Sequence, residues 1–330
     1  MDALRVNHDD VPDCGDPGKA ERMDRNAITP DLIRELLEEQ FPQWAQLPIR
    51  PVERPGWDNI TMRLGDTMSV RLPSAEMYSA QVEKEHRWLP SLRRYLPVDI
   101  PRPLGRGEPG SRFPRPWSVY EWLPGHHATV DRVPDLVGLA VELGRFLAAL
   151  YAVDGTGGPA AGRHSFYRGA SLSHWDESAW TAIDALADVI DAPGATEVWK
   201  TAQESSWTGS PVWYHGDMSA ANLLVQGGRL SAVIDFGTCG VGDPACDLVI
   251  AWSFFHGDSR AAFRREVSLD DATWARARGW MLWKAAVTLQ HAFVETPDLM
   301  GSAGMQFGWR TGALQVIEDV LAEHRHATAH

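Results

Sequence analysis

Apolar and polar positions divide the chain into a strand-rich first part and a helix-rich remainder. After a cap-like start at Thr29-Pro30-Asp31, the run LIRELLEEQF puts Leu32, Leu36 and Leu37 on one stripe and predicts a first helix. From Ile49 to Arg71 the spacing changes to short strands. NITMRLGDTMSVRLP predicts two arms joined by a turn at Leu64-Gly65-Asp66-Thr67. In the second arm Met68, Val70 and Leu72 alternate with Ser69 and Arg71, and period two sends those two polar side chains to the opposite face. SAQVEKEHRWLPSLRRYL reads as a helix ending before Pro97, and Trp117 to Leu123 as a strand stopped by Pro124-Gly125. Beyond it LVGLAVELGRFLAALYAV, ESAWTAIDALADVI and TEVWKTAQESS are periodic at helix spacing. VWYHGDMSAANLLV and RLSAVIDFG then form a strand, loop, strand pair. DLVIAWSFF, TWARARGWMLWKAAVTLQHAF and GALQVIEDVLAEH return to the helical period. No internal repeat is visible.

This order predicts an α+β chain of two lobes. Residues 1–26 carry few apolar side chains and are expected to be a disordered tail. Residues 27–123 form a small lobe with its hinge, and 124–330 a larger, mainly helical lobe, with the chemistry in the cleft between them. A length of 330 residues is more than one ordinary core needs, and 44% apolar residues make the chain globular. The 44 acidic against 31 basic residues leave a formal charge of -13. That argues against a nucleic-acid partner or an anionic membrane surface and would favour a cationic small molecule. Cys14, Cys239 and Cys246 show no CxxC pairing, so neither a disulfide framework nor a zinc site is expected. MDALRVNHDD lacks a basic region followed by an apolar one, and no apolar run is long enough to span a bilayer, so a reducing cytoplasm is the expected compartment.

The chemistry concentrates in two stretches. HGDMSAAN places Asp217 and Asn222 on one loop, and IDFG places Asp235 and Gly237 just after the following strand. With GDPACDL after them, these stretches resemble the catalytic and metal loops of the aminoglycoside phosphotransferase family, relatives of the protein kinases. Compatible features extend the resemblance over roughly residues 29 to 325. It implies a bilobal protein-kinase-like fold and ATP- or GTP-dependent transfer of the terminal phosphate to a hydroxyl of a small molecule, with Mg2+. An antibiotic is the first expectation, aminoglycoside before macrolide or basic peptide, the outcome being resistance. The alternatives are a metabolic kinase acting on a sugar, choline-like or amino-alcohol substrate, and a catalytically silent nucleotide-binding protein.

The resemblance also implies roles. Phosphoryl transfer asks the protein for positioning and charge neutralisation, so Asp217 would orient the hydroxyl and take its proton late. Asn222 and Asp235 supply hard oxygens for magnesium. His215 would hold the loop by packing and hydrogen bonding, and Asp247 would accept backbone N–H bonds from it. Arg71 stands where related proteins place a phosphate-gripping lysine, and a guanidinium suits phosphate well. Glu85, in preference to Glu83, would position Arg71, while Ser69 would cover the adenine ring. Gly56 and the Asp58-Asn59 pair could turn over the phosphates. Tyr120 would wall the pocket, and backbone groups of Glu121 and Leu123 would face the adenine edge. Turn-capping Asx residues, an exposed strand arginine, solvated helical glutamates and a plain hairpin turn are the alternatives.

Gly237 is followed so soon by Asp243-Pro244 that no long phosphorylatable loop fits, and HGD lacks the arginine that would clasp one. A protein substrate is therefore disfavoured. In FYRGASLSHWDES, Asp176 and Glu177, and further on Glu295, could meet amines of a cationic acceptor, though helix capping explains them as well. Trp252, Trp274, Trp280 and Trp283 read as core, and an apolar pocket would favour a macrolide.

Overall fold

The computed structural model describes residues 27–52, 56, 58–295, 303–305 and 308–328, with the backbone alone at Glu295. The expected disordered tail, residues 1–26, lies outside them. Thr29 accepts a hydrogen bond from the Leu32 amide at 3.2 Å and Pro30 follows it, so α1 (Pro30–Gln40) begins at the expected cap. Its buried stripe is Ile33, Leu36 and Leu37. The expected Leu32, four before Leu36, is partly buried and packs against the same core, and Ile33 joins the stripe.

β1 (Ile49–Pro51), β2 (Asn59–Leu64), β3 (Met68–Pro73), β4 (Pro103–Gly107) and β5 (Trp117–Glu121) make an antiparallel sheet in the order β1-β2-β3-β5-β4. The β2–β3 turn closes through Gly65, whose φ of +58° suits glycine. The register sets Ile60 opposite Leu72, Met62 opposite Val70 and Val70 opposite Val119, and these side chains pack with the α1 stripe into one core. By the same register Ser69 lies opposite Tyr120 and Arg71 opposite Ser118, so the polar face of β3 continues onto β5. α2 (Ser79–Leu92) buries Gln81, Val82, Lys84, Glu85 and Leu89. It ends earlier than expected, just past the Pro90 inside it.

The larger part contains β6 (His126–His127), α3 (Leu136–Tyr151), α4 (Asp176–Ala185), α5 (Ala192–Gln203), β7 (Val212–Tyr214), β8 (Leu223–Gln226), β9 (Arg229–Val233) and β10 (Gly240–Gly242). α6 (Ile250–Ser253), α7 (Gly257–Val267), α8 (Asp271–Glu295) and α9 (Ala313–Thr328) complete it. The expected strand, loop, strand pair is divided differently: β8 and β9 form a hairpin joined by β6, whereas β7 pairs with β10. DLVIAWSFF is not one helix either. A 3-10 turn, Pro244–Val249, capped by Asp243, precedes the single-turn α6.

α8 is buried on most sides between Thr273 and Ala286, with Arg276 and Arg278 among its buried residues. Trp274, Trp280, Met281, Leu282 and Trp283 are all buried on it, and Trp252 is buried on α6, so the four indoles are core. α8 packs on α4, α5, α9 and the 3-10 turn. Arg276 Nε lies 2.7 Å from Asp243 Oδ2, with both side chains below 10% exposure. This buried pair ties α8 to the cap of the turn that carries Asp247. Removing one partner of such a pair leaves an uncompensated charge. Arg276→Met is expected to destabilise the fold by about 3–5 kcal/mol, measured by urea unfolding, with Asp243→Asn in the same chain recovering part of the loss.

Candidate active site

His215, Gly216 and Asp217 leave β7 in a turn held from below. Asp247 is fully buried and its two carboxylate oxygens accept the His215 amide at 2.8 Å and the Gly216 amide at 2.7 Å. Burial pushes its carboxyl up, while His215 and the two amides favour the charged form. Gly216 has φ +89°, and a Cβ there would lie 2.7 Å from the Thr238 carbonyl, so only glycine fits. The His215 ring is also buried. Its Nδ1 accepts the Asp217 amide at 3.2 Å, which leaves Nε2 to donate to the Ile234 carbonyl at 2.9 Å. One imidazole thus joins the loop bearing Asp217 to the segment bearing Asp235.

Asn222 Nδ2 donates to the Asp217 carbonyl at 2.8 Å and to its Oδ2 at 3.0 Å. With both hydrogens used, the amide oxygen is left for another partner. Asp235 has φ +68°, an uncommon conformation for a residue with a Cβ, and its Oδ1 meets Arg71 Nη2 at 3.1 Å. That contact joins β3 to the loop after β9. Arg71 Nη1 also stands 3.8 Å from Glu85 Oε1, and its guanidinium lies 5.5 Å over the Tyr120 ring. Burial works against the Arg71 charge, but Glu85 and Asp235 outweigh it and drive its pKa up. Burial pushes Glu85 up too, opposed by Arg71 and by the Tyr120 hydroxyl, which donates to Glu85 Oε2. Glu83, by contrast, is exposed.

Asp217 with Asn222, and Asp235 with Arg71, Glu85 and Tyr120, thus form two directly bonded groups, joined by His215 and by the Ile234 amide on the Asn222 carbonyl, with Asp247 beneath the loop. The other expected positions divide. Ser69 is buried beside Tyr120 on the same sheet face. Asn59 is buried at the start of β2, opposite Pro73. Tyr120 is buried and supports Glu85 through its hydroxyl. The Glu121 amide donates to the Arg102 carbonyl at 2.9 Å, and Leu123 is buried. Asp176 does not join the site: its Oδ1 accepts both the Trp199 indole and the Gln203 amide at 2.7 Å, fastening α4 to α5. Glu177 is exposed on the first turn of α4. The Glu295 side chain lies outside the described residues.

Three charged side chains join this set that motif reading passes over. Lys284 Nζ on α8 donates to Asp217 Oδ1 at 3.1 Å. Arg168 also faces Asp217; its guanidinium is held 5.4, 5.6 and 5.0 Å from the Trp175, Trp280 and Trp283 rings. Burial alone would raise the Asp217 carboxyl, yet Lys284 and Arg168 hold it down at about 2. The third is Asp58, read beforehand only as a turn residue, whose Oδ2 accepts Gln81 Nε2 at 3.3 Å. Burial, then the charge of Asp235, pushes it up to about 7, with Asp217 adding to the effect. Lys284 did leave a trace in the sequence, as the lone charge in WMLWKAAVTL.

The donor set suits a hard cation. Asn222 offers an amide oxygen and Asp235 a carboxylate, the hard oxygen donors that magnesium takes. Among the described residues no group of three or more His, Cys, Asp or Glu could by itself hold a metal ion. An ion here would need ligands from water and a bound phosphate, as magnesium commonly takes.

Comparison with known proteins places this geometry in context. Residues 49–280 match the model of a family described as the phosphotransferase enzyme family. A curated relative, the uncharacterized protein YcbJ of Bacillus subtilis (strain 168), is 26% identical over 174 residues, 51% of this chain and 53% of that protein. The chain therefore spans about half the length of the relative it matches. The fold is similar to that of aminoglycoside 2'-phosphotransferase-IIIa in its GDP complex, with TM-score 0.63 and 17% identity over 88% of this chain and 98% of that one. It is similar as well to macrolide 2'-phosphotransferase type I, with TM-score 0.56 and 19% identity over 84% and 96% of the two chains. Among the described residues no helix is long and apolar enough to cross a membrane.

Asp58 generates a pH test. Its folded-state pKa of about 7 lies above the ordinary 3.8, so the folded protein holds that proton more tightly than the unfolded chain. The stability this contributes is fully present below 3.8 and is lost as pH rises through about 7. Asp58→Asn cannot ionise, and its melting temperature is expected to gain on the parent's across that interval and to keep a constant advantage above it. A difference flat with pH would show that Asp58 titrates normally.

Proposed function

This chain belongs to the phosphotransferase enzyme family, and from that premise we propose that it moves the terminal phosphate of ATP or GTP to a hydroxyl of a small molecule, with Mg2+. The observation that carries the reading is that two directly bonded pairs, Asp217 with Asn222 at 2.8 and 3.0 Å and Arg71 with Asp235 at 3.1 Å, are held together by the His215 imidazole and by the Ile234 amide on the Asn222 carbonyl. Asp217 orients the acceptor hydroxyl and takes its proton as the new bond to phosphorus forms. A carboxylate held at about 2 is a weak base, so its first contribution is orientation, with proton transfer late. Arg71, backed by Glu85 and Tyr120, grips the phosphates. Asn222 and Asp235 would hold magnesium, which when bound supplies charge neutralisation on the phosphate oxygens. Ser69 and the Glu121 to Leu123 backbone border the purine, and Asn59 lies under the turn over the phosphates. His215 and Asp247 keep the loop in shape.

For the acceptor, an antibiotic hydroxyl comes first, with resistance as the outcome. The fold likeness to aminoglycoside and macrolide phosphotransferases supports this. Within that class one observation shifts the balance toward the macrolide-like, less charged acceptors: Asp176 is committed to Trp199 and Gln203, while Lys284 and Arg168 set positive charge beside Asp217. A metabolic hydroxyl compound is the second reading, favoured by the same observation. The reaction is placed in the cytoplasm, where the nucleotide is available.

A coupled nucleotide assay over aminoglycosides, macrolides and metabolic alcohols separates these readings, with acceptor-dependent nucleoside diphosphate release expected for one class. Asp217→Asn should abolish that transfer and leave nucleotide affinity within a few-fold, because Asp217 meets the hydroxyl and not the purine. Retained transfer would remove Asp217 from the role. Arg71→Ala should weaken nucleotide binding by about 1.5–3 kcal/mol, the worth of a charged hydrogen bond, and unchanged binding by calorimetry would return Arg71 to a purely structural part.

A further inference from the structure

We propose that Lys284 is a catalytic residue of the transfer centre, whose ammonium holds Asp217 in the nucleotide-free enzyme and moves onto the transferring phosphoryl group once nucleotide and acceptor are in place. The inference deepens the phosphotransferase reading and rests on it. Its first ground is position. Lys284 Nζ occupies Asp217 Oδ1 at 3.1 Å while Asn222 occupies Oδ2 at 3.0 Å. A hydroxyl oriented by Asp217 must therefore stand beside the ammonium, and so must the phosphorus it attacks. The second ground is what the loop lacks. Between Asp217 and Asn222 stand Met218, Ser219, Ala220 and Ala221, so the loop itself brings no cation to the phosphoryl group.

The third ground separates catalysis from simple neutralisation. Arg168 also faces Asp217 and is pinned among three indole rings at 5.0 to 5.6 Å, so it stays. Lys284 is a point charge on a flexible stem, 23% exposed, on an otherwise apolar stretch of α8 where its neighbours Trp283 and Ala285 are buried. With one cation fixed, the other is free to follow the charge. In the step itself the acceptor O–H proton passes to Asp217, the acceptor oxygen bonds to phosphorus, and the bridging P–O bond to the departing nucleoside diphosphate breaks. Lys284 keeps its proton and neutralises the non-bridging oxygens.

The test uses the full chain with magnesium and either ATP or GTP, water serving as acceptor, and phosphate release as the signal. Lys284→Met is expected to lower kcat about 100-fold, the usual cost of losing one transition-state donor, with nucleotide KM within a few-fold. Lys284→Arg should recover much of the rate, and ethylammonium should rescue Lys284→Ala saturably, which a packing role would not allow. Turnover by Lys284→Met at or above the parent rate would overturn the proposal and make Lys284 a plug over Asp217. Equal losses in the Met and Arg variants, with lowered melting temperatures and no amine rescue, would overturn it in favour of a structural role. A parent enzyme that releases no phosphate to water and no nucleoside diphosphate with any aminoglycoside, macrolide or metabolic alcohol of the panel would overturn the phosphotransferase reading and this proposal together.

Discussion

Like charges held near one another repel, and in this site the carboxyl of Asp58 feels the charges of both Asp235 and Asp217. Without compensation they would protonate or force the segments apart. The fold answers with cations from distant elements: Arg71 from β3, Lys284 from α8 and Arg168 from the segment before α4. The compensation is uneven. Asp217, with two cations, is held low, whereas Asp58 is driven up by burial first and then by the charge of Asp235, with only the Gln81 hydrogen bond and Arg71 opposing. Asp217 stays ionised.

Much of this framework could be read from the chain, because its signals are local. The alternation of Met68, Val70 and Leu72 with Ser69 and Arg71 is a two-residue period, and the register places those polar side chains on one face with Tyr120. HGDMSAAN and IDFG are short motifs whose spacing already implies a loop between strands, and the His215 bridge between them is compatible with that spacing. The choice of Glu85 over Glu83 was open in sequence and is decided by which side of α2 faces β3.

What escaped depends on long-range packing. Lys284 reaches Asp217 across 67 positions of chain, and Arg276 reaches Asp243 across 33. No window of sequence contains both members of either pair. Asp176 shows the converse error, since a polar, aromatic neighbourhood suggests a ligand site whereas the carboxylate is already shared by Trp199 and Gln203. In the same way α6 is a single turn because the preceding residues are drawn into a 3-10 turn by the Asp243 cap, a competition that helical periodicity does not register.

The resting ion pairs also bear on how the cleft can load. Arg71 shares itself between Glu85, which is buried, and Asp235, whose side chain is 35% exposed. A phosphate arriving at Arg71 can displace Asp235 far more easily than it can displace Glu85, which is held by the Tyr120 hydroxyl. If Arg71 takes phosphate as proposed, the Arg71–Asp235 contact is the one to be exchanged and the Arg71–Glu85 contact the one to be kept. Lys84, on α2, donates to the Cys239 carbonyl at 2.9 Å and the His164 carbonyl at 3.2 Å. These bonds tie α2 to the larger part without using Arg71, so exchange at Arg71 does not require breaking them.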